Sequence, residues 1–381
     1  MIRRSILAAF AAFFLAAPAQ AQTSPRDQRV IFVMLDGLRW QEVFRGADTD
    51  LAASTEYMRS SFAKDVRAGF VDVSNRREAL MPFLTGVVAR DGALIGNRDA
   101  GSCAHVTNDR WFSYPGYNET LTGKPDARVN SNDYGPNPNV TFLEWLNRQP
   151  GYASEVAAAT SWDAFTRIIN AERSGVPVNA GLMPLRGSDG AVTTYNRLLA
   201  DTPVPWKSVR LDAFTHMAAM HTLRTQRPRV MFISYDETDD FAHDGDYAQY
   251  LMAAHRTDGF LRELWETVQR DRAYAGRTTL LITVDHGRGD QPGESWRHHY
   301  SGPALAAGTS PLREKFPNGI PGSDQTWIGA LGPRVRAGET LAAQAGDCAG
   351  SNQMAATTLT ALGLDWRAFD ATAGAPLGIF K

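Results

Sequence analysis

The sequence predicts an α/β fold, a mostly parallel central sheet with helices on both faces, and three observations carry that reading. Short continuous apolar runs recur along the chain, and acids stop them. Amphipathic stretches of helical period lie between the runs. No internal repeat or low-complexity linker divides the chain. Strands that are apolar throughout are buried on both faces, which is the condition of strands in a helix-covered parallel sheet. Strands alternating with helices give that layer order.

In chain order, the first feature is the segment MIRRSILAAFAAFFLAAPAQAQ. Arg3 and Arg4 precede an apolar run from Ile6 to Ala17, and Ala-Gln-Ala ends at Ala21. This is the pattern of a secretory signal peptide over residues 1–21, with the run too short for a span of roughly 20 residues. A secreted or periplasmic protein is expected, with residues 22–381 forming a single domain and no membrane span in the mature chain.

The first strand is Val30 to Leu35, stopped by Asp36-Gly37. Val230 to Tyr235 repeats the design and leads into the acids of DETDDFAHDGD. Leu280 to Val284 repeats it again and leads into Asp285-His286, and DQTWIGALGP at 324–333 reads as a fourth strand. Helices are expected over 211–226, over FLEWLNR at 142–148, and over 247–270. In the last, Tyr247, Tyr250, Leu251, Ala254, Leu261, Leu264, Trp265 and Val268 recur at i, i+3, i+4 spacing. Residues 90–140 and 300–325 are rich in Gly, Pro, Asn and Ser, and are expected to be loop insertions on the one domain, the second being a lid or plain loop.

Composition narrows the function. The 39 basic and 41 acidic residues leave a net charge of −2 with no basic tract, which gives no support to nucleic-acid or membrane-surface binding. Cys103 and Cys348 are the two cysteines, too few for a structural zinc site. An oxidising compartment would allow them to pair, but spacing does not show that they meet.

Ligands in open α/β sheets bind beyond the carboxyl ends of the strands. Three strands here deliver hard ligands to that edge: Asp36, the pair Asp239 and His243 four residues apart, and Asp285-His286. SWRHHYSG adds His298 and His299. Imidazole with carboxylate suits zinc and similar divalent ions. Taken singly, an Asp after a strand is commonly a helix N-cap, and a surface His pair is ordinary. Three strands ending this way, with further histidines downstream, point to a metal site. Ser113 in DRWFSYPGYNETLTG is locally either a turn residue or a nucleophile.

These pieces together resemble the alkaline phosphatase superfamily, especially its type I phosphodiesterase/nucleotide pyrophosphatase and phosphoglycerate-mutase-like branches. VMLDGLRW, FSYPGYNETLTG, ETDDFAHDGD, TVDHGRG and WRHHYSG…WIGALGP carry the resemblance, in that order, from residue 29 to about 335. It implies an enzyme with two divalent ions, zinc being the expected metal. Asp239, His243 and His299 would hold one ion; Asp36, Asp285 and His286 would hold the other, with the Ser113 oxygen completing it. His299 is preferred over His298 because it stands three residues after Trp296, as the family's last histidine does. Ser113 would be the nucleophile for a small-molecule phosphate ester, mono- or diester, giving a phospho-serine.

The departures bear on substrate. Gly116-Tyr117 stands where the pyrophosphatase branch usually has Asn-His, and the arginine of the sulfatase motif is absent. Asn132 is the nearest match to an asparagine that contacts a phosphoryl oxygen, although the loop around it is rich in turn residues. Arg39, Arg288 and Arg297 flank the motifs, either as oxyanion clamps or as surface and supporting residues. A sulfate-ester hydrolase on the same site, or a catalytically silent metal-binding homologue, is the alternative.

Overall fold

The computed structural model describes residues 27–291, 293–338 and 348–381; the expected signal peptide at 1–21 lies outside them. The strands in chain order are β1 (Arg29–Leu35), β2 (Ala93–Ile95), β3 (Ala104–His105), β4 (Val156–Thr160), β5 (Val178–Ala180), β6 (Val230–Tyr235), β7 (Thr278–Thr283), β8 (Gln325–Thr326), β9 (Ile328–Leu331) and β10 (Ala349–Gly350). Seven of them form one sheet in the order β2-β9-β7-β1-β6-β4-β5. The β7-β1-β6-β4-β5 portion is parallel, and β9 pairs antiparallel with both β7 and β2.

The apolar runs form the centre of this sheet for a simple reason. Successive side chains of a strand point to opposite faces. Val30, Phe32 and Met34 of β1 enter one core with Tyr114, Tyr117, Leu121 and Phe142, while Ile31, Val33 and Leu35 enter the other with Tyr250, Leu251, Leu261 and Leu264. Both faces are thus covered by helices, and each fully buried Val, Leu, Ile or Phe contributes about 1.5–3 kcal/mol. The Tyr247–Arg270, Asp212–Thr225 and Phe142–Asn147 helices lie where periodicity placed them.

Three expectations change. The 324–333 segment is split, with β8 leaving for a small sheet ordered β10-β3-β8 and β9 running antiparallel at the main sheet's side. Residues 90–140 are not only loop: they supply β2 and the ten-residue helix Ser113–Thr122. Pro115 lies in the first turn of that helix, where its missing N–H has no helical partner to lose. Within 300–325, short helices span Gly302–Ala307 and Leu312–Lys315.

Cys103 and Cys348 form a disulfide with Cα atoms 4.7 Å apart, beside the β3–β10 pairing. Among the described residues no helix is long and apolar enough to cross a membrane.

Candidate metal centre and nucleophile

Sheet register brings the acids together. Leu35 of β1 is level with Tyr235 of β6, and Met34 is level with Thr283 of β7. Residues just past these ends, Asp36, Asp236 and Asp285, therefore converge on one edge. Asp36 N–H donates to Tyr235 O at 2.9 Å, and Gly37 N–H donates to Asp285 Oδ1 at 3.2 Å. Gly37 has φ +59°, and a Cβ there would meet Arg288 Nη1 and Asp239 Oδ1 at 2.7 Å, so the turn after β1 requires glycine.

After β6 the chain turns into the helix Glu237–Asp244. Asp239 and His243 are one turn apart and meet, with His243 Nε2 at 3.2 Å from Asp239 Oδ2. His299 Nε2 stands 3.0 Å from His243 Nε2 and 3.6 Å from Asp239 Oδ1. His286 Nε2 lies 3.4 Å from Asp36 Oδ1, 3.3 Å from Asp285 Oδ2 and 3.8 Å from Asp239 Oδ1. Ser113 Oγ is 3.3 Å from His286 Nε2. The structure brings all seven residues together. His298 turns away, with Nε2 3.4 Å from Glu294 Oε1.

Two sets have mutually close ligand atoms: Asp239, His243 and His299, and Asp36, Asp239 and His286. The first is the set expected from the motifs. The second joins two of the expected residues to Asp239, and the expected third, Asp285, lies beside them with Oδ2 3.3 Å from His286 Nε2. Asp285 gives Oδ1 to Gly37 N–H and keeps Oδ2 toward His286, while Asp239 Oδ1 stands 3.8 Å from His286 Nε2 and 3.6 Å from His299 Nε2 and so faces both sets.

The donors fit a divalent ion. Asp36 Oδ1, Asp285 Oδ2 and His299 Nδ1 are buried without a hydrogen-bond partner, a costly state that a bound cation relieves for the carboxylates. Electrostatics agree with the crowding. Burial drives the Asp285 carboxyl well above its usual range, and Asp36 adds to the push. Burial also opposes ionisation of Asp239, but His243, Arg288 and His299 outweigh it and hold that carboxyl well below the usual range. His286 is buried, which disfavours its charge, yet Asp285 and Asp36 raise it to about 9. Burial, then His286, pushes His299 well below the ordinary imidazole value.

Ser113 is the first residue of its helix, so the helix's positive end faces its oxygen. A Cβ on Gly116 would lie 2.2 Å from Asp285 O, so glycine lets this helix approach the end of β7. Tyr117, one turn after Ser113, donates its hydroxyl to Asp36 Oδ2 at 2.8 Å. These two residues occupy the positions where the sequence departs from the pyrophosphatase branch. Asn132 Oδ1 accepts from Tyr114 N–H at 2.9 Å, which ties the asparagine to the start of the helix.

Other supports carry no local motif. Buried Glu119 accepts Thr107 N–H and Oγ–H through Oε1, and Asn108 N–H and Nδ2–H through Oε2, at 2.8–2.9 Å. Asn108 Oδ1 in turn accepts Arg110 N–H and Trp111 N–H, so the turn before Ser113 is pinned. Thr238 Oγ donates to Asp36 O at 2.5 Å. The flanking arginines are supports: buried Arg39 bonds Glu42 and Gly289 O, Arg288 bonds Asp239 and Trp296 O, and Arg297 bonds His243 O. Reading Ser113–Thr122 as a helix would have marked Tyr117, through its i+4 spacing from Ser113. Glu119 gives no such signal.

Residues 211–300 match the Metalloenzyme superfamily. A curated relative, 2,3-bisphosphoglycerate-independent phosphoglycerate mutase of Haloquadratum walsbyi (strain DSM 16790 / HBSQ001), is 30% identical over 81 residues, which span 21% of this chain and 15% of that relative's length. Among solved structures, alkaline phosphatase PafA aligns at a TM-score of 0.54 with 10% identity, covering 92% of this chain and 98% of its own. Phosphonate monoester hydrolase SpPMH from Silicibacter pomeroyi aligns at 0.52 with 12% identity, covering 92% of this chain and 76% of its own. Both structures share the fold of this chain over 92% of its length.

Proposed function

We propose that this chain is a metal-dependent hydrolase of phosphate esters that works through Ser113. The observation that carries the reading is the position of Ser113 Oγ, at a helix N-terminus and 3.3 Å from His286 Nε2, beside carboxylate oxygens left without partners. PafA and SpPMH, named as a phosphatase and a phosphonate monoester hydrolase, share the fold and support the same chemistry.

Asp239, His243 and His299 would hold one divalent ion, and Asp36, Asp239 and His286, with Asp285 alongside, a second; zinc suits this donor set. Such ions lower the cost of ionising a hydroxyl and stabilise charge on the attacking and leaving oxygens. Ser113 Oγ attacks phosphorus, forming the Oγ–P bond as the bond to the leaving alcohol breaks; the serine proton ends on that alcohol. Water then cleaves the Oγ–P bond, restoring the hydroxyl and releasing phosphate or its monoester. The helix N-terminus favours the negative oxygen during both steps. Tyr117 holds Asp36, and Asn132, anchored to Tyr114, is the candidate contact for a phosphoryl oxygen.

Sulfate esters are the weaker reading, since the position of the sulfatase arginine is Tyr117, whose hydroxyl is committed to Asp36. The disulfide supports an exported protein, because such bonds persist in oxidising compartments.

The test is hydrolysis of p-nitrophenyl phosphate and bis-p-nitrophenyl phosphate by zinc-loaded protein, beside Ser113→Ala. The variant is expected to keep its metal and lose turnover by at least about 10³-fold. An acid quench is expected to trap phosphoserine at position 113. The two rates place the enzyme as a mono- or diesterase. Equal turnover by Ser113→Ala would refute the nucleophile, and metal bound without any turnover would favour the silent homologue.

A further inference from the structure

A cavity of about 480 Å³ is lined by chain neighbours of the nucleophile and of His299. It is lined by Phe112, the neighbour of Ser113, by Tyr300, the neighbour of His299, and by Asn132, which is bonded to Tyr114. Phe112 and Tyr300 pack together with ring centroids 5.1 Å apart, and Tyr300 lies against His299 at 5.0 Å. The two rings give the cavity an apolar, aromatic part of its lining. Leu305 and other residues of the 304–310 segment also line it. A site of this size suits a small molecule well beyond a phosphoryl group.

Arg110 lines the same cavity. Its side chain is 17% exposed, and among the described residues its one ionic neighbour is Asp109, 3.3 Å from Nε and itself 62% exposed. Nε makes no hydrogen bond, and among the described residues neither terminal nitrogen makes one. The main chain around it is fixed, since Arg110 N–H donates to Asn108 Oδ1 and Arg110 O accepts from Ser301 N–H at 3.1 Å. A mostly buried guanidinium with unused donors, on a rigid loop, is prepared for an anion. Among the described residues Asp133 is the one carboxylate on the lining, and it is exposed.

We propose that this cavity receives the leaving group of the ester, and that the preferred substrates carry a second anionic group, a carboxylate or phosphate on an apolar or aromatic body, which Arg110 clamps. The proposal rests on the phosphate-ester reading above and narrows it to a class of substrate. Phe112 and Tyr300 support the body, while Ser113 addresses the phosphoryl group.

Zinc-loaded protein titrated calorimetrically with phenylphosphonate and with 4-carboxyphenylphosphonate tests this without requiring turnover. The carboxylated ligand is expected to bind about tenfold more tightly, the scale of a charge-assisted bidentate contact. In Arg110→Gln that ratio is expected to fall below about twofold, with Arg110→Lys between the two. Equal affinities in the wild type, no binding of either ligand, or a ratio preserved in Arg110→Gln would each overturn the assignment. An equal loss for both ligands would also overturn it, placing Arg110 on the transferred phosphoryl group instead. Hydrolysis of phenyl phosphate is read in parallel: its absence beside an intact carboxylate preference would count against the hydrolase reading while supporting the anion site.

Discussion

The Tyr117 hydroxyl donates to Asp36 Oδ2 at 2.8 Å while Asp36 Oδ1 is left without a partner. One oxygen is oriented by the protein and the other is free to hold a cation. Such outer hydrogen bonds fix ligand orientation, and their loss typically weakens metal binding about 10–100-fold. Tyr117→Phe is therefore expected to lower zinc affinity by that factor in competition with a chelator, with the disulfide and fold unchanged. Unaltered affinity would mean that the Asp36 carboxylate keeps its orientation without the tyrosine.

Gly116 is expected to tolerate no side chain. The added Cβ of Gly116→Ala would lie 2.2 Å from the Asp285 carbonyl, which is backbone and cannot swing aside. Forcing the helix away should cost about 1–3 kcal/mol in urea unfolding, the usual range for overpacking. Because Ser113 moves with the helix, turnover should fall by more than the stability loss explains. A fully active, equally stable variant would show that the helix can shift without disturbing the site.

Glu119→Gln replaces an oxygen that accepts two hydrogen bonds with an amide that donates. Whichever end the amide takes, donors of Thr107 or Asn108 lose a buried acceptor. The expected cost is about 1–3 kcal/mol. The turn that positions Arg110 and Ser113 should also loosen, seen as faster amide exchange at 107–112.

Asp258 gives a pH dependence outside the metal centre. Its buried carboxylate accepts Phe83 N–H and Leu84 N–H at 2.7 and 2.8 Å, and burial, only partly offset by those bonds, raises it from 3.8 to about 6. The folded state thus binds this proton more tightly than the unfolded chain does. The resulting stability is complete below pH 3.8 and is lost as pH rises through about 6. Its full span is up to about 3 kcal/mol. Unfolding free energies of wild type and Asp258→Asn, compared from pH 4 to 7, should diverge by that trend; parallel curves would refute it.

Much of the fold was legible because buried parallel strands write themselves as unbroken apolar runs. β1, β6 and β7 were read that way, and they are the strands that carry the site. β4, with the sequence VAAAT, lacks the bulky β-branched pattern, and β2 and β5 are three residues long, so neither propensity nor periodicity marked them. The segment Ser113–Thr122 gives no helix signal in the sequence, because Pro115-Gly116 is a turn signal in isolation. Only the packed neighbour, Asp285 O, explains why glycine is there.

The sequence by itself determined the donor types, their order along the chain and the strands that deliver them, since those follow from local composition and from residues four apart on one helical turn. Tertiary structure decided which atoms meet. Asp239 Oδ1 stands near both His286 and His299, Tyr117 reaches Asp36, and Arg110 lines the cavity with unused donors. Such contacts join residues 47 to 81 positions apart, or lie on a loop whose shape is set by Glu119. Strand register and helix approach fix them, through packing and hydrogen bonds that no short stretch of sequence contains.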